Sequence, residues 1–136
     1  MRIVADTNVL VSGLLNPKGP PGQILDLILE GDLEILIDDR ILSEYRSVLR
    51  EKELGIRRED VKSVLALLER VGARVALLPL SLELPDPDDV VFAEAARAGK
   101  AAYLVTGNLR HFPDISEAIS PRGLIEHLST MGELGK

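Results

Sequence analysis

Short apolar runs alternate along this chain with longer stretches in which apolar residues recur at helical spacing. Ile3-Val4-Ala5 reads as a strand that leads straight into an acid, Asp6, and then into the helix-like pattern Val9-Leu10-Val11-Ser12-Gly13-Leu14-Leu15. A turn-rich loop, Asn16-Pro17-Lys18-Gly19-Pro20-Pro21-Gly22, precedes a helix over residues 23–30 that is apolar around much of its circumference. Gly31-Asp32 ends that helix, and Leu33-Glu34-Ile35-Leu36-Ile37 reads as a second strand. Asp38-Asp39 then opens a helix over residues 40–53, with Ile41, Leu42, Tyr45, Val48 and Leu49 at helical spacing.

The clearest amphipathic helix covers residues 57–71. Val61, Val64, Leu65, Leu67, Leu68 and Val71 form its inner stripe, Arg58, Glu59, Lys62 and Arg70 lie outside, and Gly72 stops it. Residues 74–78 read as a third strand and 79–87 as an acid-bearing loop. Asp88 or Asp89 caps a helix through Ala98, which Gly99-Lys100 ends. A fourth strand over 102–105 runs into Thr106-Gly107-Asn108, and the tail holds a short fifth strand near Ala118-Ile119 and a helix over 121–129. Strands alternating with helices imply a parallel sheet covered on both faces. The expected fold is α/β, three layers α/β/α around a central parallel sheet of about five strands. It forms one domain over residues 1–136, near the commonest domain size.

Composition removes several chemistries. With no Cys there are no disulfides, no thiolate nucleophile and no zinc–thiolate site. No apolar run approaches the ~20 residues of a membrane span, and the N-terminus enters a strand instead of a signal peptide. The expectation is a soluble, cytoplasmic protein. A net charge of −6 weighs against indiscriminate nucleic-acid binding. The charge is uneven, however: nine basic residues face six acids between Arg40 and Arg74, against seven and sixteen elsewhere. Such a division suits an enzyme that grips phosphates with one surface and holds metal on another. Solvated helix faces laced with Glu–Arg pairs are the plainer account.

The placement of the acids changes the picture. Strand C-termini of one parallel sheet open on a single edge, the crevice where α/β sheets bind ligands. Asp6 follows the first strand, Glu44 lies in the first turns after the second, Asp86, Asp88 and Asp89 follow the third, and Asn108 follows the fourth. Carboxylates gathered there repel, and one must take up a proton unless a cation joins them. An all-oxygen set selects Mg²⁺ or Mn²⁺ over zinc. Such an ion activates water and neutralises charge on a phosphodiester.

Each acid also has a plainer role. Asp6 is a favoured helix cap, Glu44 a solvated residue or a partner of Arg40 or Arg46, and one of the three later aspartates a cap. Asn108 fits a turn and His127 a surface position; His111, close in sequence to Asn108, invites a catalytic role, against which a loop His beside Phe112-Pro113 fits a structural or solvated one. Arg46, Arg50, Arg57 and Arg58 are candidates for gripping phosphates. With few aromatic residues, Tyr45 is the one stacking candidate.

DTNVL after the first strand, SEYRSVL on the second crossover, DPDDVVFAEAA after the third strand and YLVTGN at the fourth resemble the PIN domain. The likeness is to its VapC-like branch, the toxins of toxin–antitoxin pairs, and runs from Met1 to Pro113. It implies a Mg²⁺- or Mn²⁺-dependent endoribonuclease that cleaves single-stranded RNA. It also implies metal binding by Asp6, Glu44 and Asp89, with Asp86 as a further ligand, through water, and Asp88 in support. Asn108 completes the catalytic set where many relatives have Asp; an amide holds water or metal but brings no charge. Thr7, Asn8 and Thr106 would orient acids or water. The family implies a homodimer and an antitoxin partner.

Two other readings stay open: a catalytically inert PIN-like module that binds RNA or protein, and a Mg²⁺-dependent phosphoacceptor regulatory domain. The second lacks adjacent acids before Asp6 and a Lys after the fifth strand. An Asp-nucleophile phosphatase would need a second Asp where Asn8 stands. Dinucleotide binding lacks its Gly-rich turn.

Overall fold

Ile3, Val4 and Ala5 are wholly buried. Their strand, β1 (Arg2–Ala5), is the middle of a five-stranded sheet in the computed structural model, which describes residues 1–76 and 82–132. The elements that follow are α1 (Thr7–Leu15), α2 (Pro20–Leu29), β2 (Glu34–Ile37), α3 (Asp39–Leu49), α4 (Arg58–Val71), β3 (Ala73–Arg74), α5 (Val90–Ala98), β4 (Tyr103–Val105), β5 (Ala118–Ile119) and α6 (Pro121–Thr130). The sheet order is β3-β2-β1-β4-β5 and every pairing is parallel. Ile3 is in register with Ile35 on one side and Tyr103 on the other, and Ala5 with Val105.

The chain thus builds outward from β1 to β3, then crosses to the other side of β1 for β4. The direction of winding reverses between β1 and β4, which opens the crevice that such sheets use for ligands. Asp6 and Thr106 stand one residue beyond those two strands. The sheet's central strands present apolar residues to both layers. Ile35, Leu36, Ile37, Leu104 and Val105 are all at most 1% exposed, as expected for a parallel sheet covered on both faces. Each such side chain contributes roughly 1.5–3 kcal/mol on burial.

Several boundaries differ from the sequence pattern for identifiable reasons. α2 begins at Pro20, not residue 23, because Pro is tolerated in a first turn where its missing N–H has no partner to lose. Its Gly22 is required by contact: a Cβ there would lie 2.1 Å from the Pro17 carbonyl oxygen. The helix expected over 40–53 breaks after Leu49; a 3-10 turn (Lys52–Leu54) follows, and Gly55 reverses the chain at φ +69°. The third strand is limited to Ala73–Arg74. Residues 77–78 of the strand expected there, and the first residues of the acidic loop, lie outside the described residues. Asp38, not Asp39, caps α3, accepting from the Ile41 amide at 2.8 Å. Among the described residues no helix is long and apolar enough to cross a membrane.

Candidate active site

Asp6 occupies the N-cap position of α1 in an extended conformation, yet its carboxylate makes no capping bond. It turns across the sheet instead. Thr106, at the end of β4, donates its hydroxyl to Asp6 Oδ2 at 2.8 Å, and Asn8 donates its amide to the same oxygen at 3.0 Å. Both donors are themselves held: the Asn108 amide donates to Thr106 Oγ1, and the Gly107 amide to Asn8 Oδ1, each at 3.0 Å. The β4 turn therefore orients Asp6 through two relays. Among the described residues Oδ1 accepts no side-chain hydrogen. Burial pushes this carboxyl up, against the lowering effect of Thr106.

Asp89 lies at the end of a 3-10 turn (Pro87–Asp89) that leads into α5; Asp86 stabilises the turn by accepting from the Asp88 amide at 3.0 Å. Asp86 is half-buried and Asp88 exposed. The Asp89 carboxyl is buried and pushed up to about 6, first by desolvation and then by the negative charges of Asp6 and Asp86. His111 Nδ1 stands 3.1 Å from Asp89 Oδ2 without hydrogen-bond geometry, which leaves that buried oxygen without a hydrogen-bond partner.

Glu44 is half-buried on α3. Burial raises its carboxyl, and so do Asp88, Asp6, Asp86 and Glu51. The acids of three different connections thus share one field. Glu44 makes no ion pair with Arg40 or Arg46; Arg40 is taken up by Glu94 at 2.9 Å and Asp38 at 3.6 Å. As the side chains stand, no three acidic or histidine groups among the described residues are close enough to share one ion.

The remaining candidates divide clearly. Thr7 is buried with its hydroxyl unpartnered. Asn108 is half-buried at the start of the 3-10 turn Leu109–His111, and its side chain makes no capping bond. Arg46 is half-buried, while Arg50, Arg57 and Arg58 are exposed, Arg57 pairing with Glu59 at 2.5 Å. Tyr45 is not a stacking platform: it is wholly buried against Phe92 and donates its hydroxyl to the Ala5 carbonyl at 2.6 Å, one residue before Asp6. What the sequence pattern does not reveal is that His111 stands beside Asp89. Its only signal is closeness in sequence to Asn108, which says nothing of α5.

The donor set fits a hard divalent cation. Desolvation raises all three carboxyls, Asp6 adds to the rise of Glu44 and Asp89, Asp89 Oδ2 has no hydrogen-bond partner, and Arg40, on the same helix as Glu44, is committed elsewhere.

Comparison with known proteins agrees with this fold. Over 111 residues the chain is 48% identical to an uncharacterized protein of Methanocaldococcus jannaschii, covering 79% of this chain and 71% of that one. It superposes with a TM-score of 0.58 on a chain from the crystal structure of VapBC2 from Rickettsia felis bound to a DNA fragment from their promoter. That match covers 88% of this chain and 97% of the other at 19% identity, a likeness of fold. The PIN-domain family matches residues 2–110. The chain that carries Asp6, Glu44 and Asp89 along one sheet edge therefore belongs to the PIN-domain family.

Proposed function

We propose that this chain is a Mg²⁺- or Mn²⁺-dependent endoribonuclease that cleaves single-stranded RNA, with Asp6, Glu44 and Asp89 as its metal ligands. The observation that carries this reading is the set of raised carboxyls: burial pushes up all three, Asp6 adds to the rise of Glu44 and Asp89, and no arginine or lysine among the described residues pairs with them. A divalent ion bound there would activate water and offset charge on the scissile phosphate.

The chain's own residues prepare that site. Thr106 and Asn8 hold Asp6 by Oδ2 and leave Oδ1 for a ligand. Asp89 offers its unpartnered oxygen, and Glu44, half-exposed on α3, has the rotamer freedom to close on the same point. Asp86 and Asp88 add negative potential through water, and Asn108 contributes an uncharged oxygen beside Thr106. Arg46, Arg50, Arg57 and Arg58 would steady RNA phosphates on the α3–α4 side. A further part of the proposal is that the chain is the toxin of a toxin–antitoxin pair and works as a homodimer; the fold it shares with a chain of the VapBC2 structure is in keeping with an antitoxin partner, and the homodimer rests on the VapC-like motifs alone.

One observation favours a second reading, an inert PIN-like module: the side chains as placed do not yet share an ion, and Asn108 brings no charge. A single assay separates the two. Labelled single-stranded RNA incubated with Mn²⁺ is expected to be cut by the natural chain, not in EDTA, and not by Asp6→Asn. Absence of EDTA-sensitive cutting sinks the nuclease reading in favour of the module.

A further inference from the structure

The strongest unexplained feature lies away from the acids, where α3 ends and α4 begins. A cavity of about 540 Å³ opens there, lined by Arg50, Glu51, Lys52, Ile56, Arg58 and Lys62. Four of its six lining residues are cations and one is an acid. Arg2, Arg40, Arg57, Arg74 and Arg97 each have a carboxylate partner within 4.0 Å. Among the described residues the four cavity cations have none, which they share with Lys18, Arg46, Arg70, Lys100, Arg110 and Arg122; what sets them apart is that they line one cavity.

Like charges lining one cavity repel, weakly here because all four side chains are exposed, and an anion between them would relieve that repulsion. The cavity's construction is also specific. The break in the helix at Leu49 and the 3-10 turn bring Lys52 beside Arg50, and Gly55, in the left-handed region, turns the chain so that Arg58 and Lys62 face them. A continuous helix over the same residues would spread these charges around its circumference.

We propose that this cavity is a phosphate-binding subsite for the backbone of single-stranded RNA, distinct from the acidic rim. This rests on the nuclease reading for the identity of the strand. The cavity lies at the far end of the helix that carries Glu44: Arg50 follows it by six residues, about 9 Å along the axis and about 120° around it, and Glu51 of the cavity lining follows it by seven, about two turns on along the same face. A strand anchored here runs along α3 toward Asp6 and Asp89. The rim, with its negative field, gains no affinity for RNA before metal binds, so the cavity supplies the grip that a chain of net charge −6 otherwise lacks.

The test is binding in EDTA, where nothing depends on cleavage. Anisotropy titrations of a labelled single-stranded RNA at several salt concentrations compare the natural chain with Lys52→Gln/Arg58→Gln/Lys62→Gln. A second triple variant, Lys18→Gln/Arg70→Gln/Arg122→Gln, removes equal charge from exposed positions elsewhere. At about 0.7 per phosphate contact, the cavity variant is expected to flatten the slope of log K against log salt by about 2. It is expected to bind at least tenfold more weakly at low salt, with the control triple near the natural chain. Equal losses in both triples, no measurable binding by the natural chain, or tighter binding of duplex DNA than of RNA overturns the proposal. Circular dichroism checks folding, and Lys52→Glu alone, at an exposed position, must weaken binding as well. If this pattern holds while Mn²⁺ produces no cutting, the nuclease reading fails and the subsite stands; cutting with indifferent triples rejects the subsite alone.

Discussion

Two stretches of the same sheet edge bury carboxylates and treat them oppositely. Asp38, just beyond β2, and Glu94, on α5, are 4% and 5% exposed, and Arg40 reaches both. Beyond β1 and before α5, Asp6 and Asp89 are 5% and 8% exposed, and the basic neighbour among the described residues is His111. Removing a carboxylate from water costs several kcal/mol unless an opposite charge or donors replace the water. At the first stretch the chain provides the opposite charge itself. At the second it provides donors to one oxygen of Asp6 and leaves the rest unbalanced. A buried acid kept for structure carries its own cation; the uncompensated ones mark where charge is expected to arrive from outside.

The sharpest way to break this contrast is substitution on each side. Asp6→Asn is expected to lower Mn²⁺-dependent RNA cutting by about a hundredfold or more, since one lost ligand outweighs the 10–100-fold typical of a supporting residue. Metal-free thermal stability should be held or raised, because the substitution removes a desolvated charge. A parallel loss of activity and fold would make Asp6 structural. Arg40→Met should do the reverse, destabilising the fold by about 2 kcal/mol because Glu94 and Asp38 lose their cation, a value discounted for Arg40's 40% side-chain exposure. Urea unfolding reads it, and adding Glu94→Gln should recover part of the loss.

Thr106→Val removes the 2.8 Å donor to Asp6 with little change of shape. Expected is a 10–100-fold weaker Mn²⁺ dependence of melting temperature with the apo fold retained; an unchanged metal titration would show that Thr106 only fills space.

The smallest effect is with pH. Asp89's folded value, about 6, lies above its ordinary 3.8. Folding therefore takes up a proton between these values: the stabilisation is complete below roughly pH 4 and lost as pH rises through about 6. In EDTA, the natural chain should lose about 1–2 kcal/mol between pH 4 and 7 relative to Asp89→Asn. Identical pH profiles would mean that folding does not raise the Asp89 carboxyl.

Much of the fold and part of the rim are legible in the amino-acid pattern. The alternation of apolar runs and helical stripes places Ile3-Val4-Ala5, Leu36 and Leu104 in a parallel sheet, because a strand buried on both faces must be apolar throughout. An acid one residue past such a strand must then lie at the sheet's C-terminal edge, as Asp6 does. Local pattern is weakest where a residue has several partners of similar merit. Asp6 could equally have capped α1, Tyr45 could have faced solvent, and Arg40 could have paired with Glu44, its neighbour at helical spacing.

Contacts 100, 40 and 54 positions apart settle those choices: Thr106 with Asp6, Tyr45 with Ala5, and Arg40 with Glu94. The linear pattern alone determined the order of layers, the apolar sheet and the edge on which the acids would stand, because periodicity and chain direction decide which way a strand or helix faces. Only the folded packing decided how each polar side chain is partnered and that the α3–α4 cations face one cavity. Burial makes an unpaired polar group costly, and which partners are within reach is known only once distant segments are side by side.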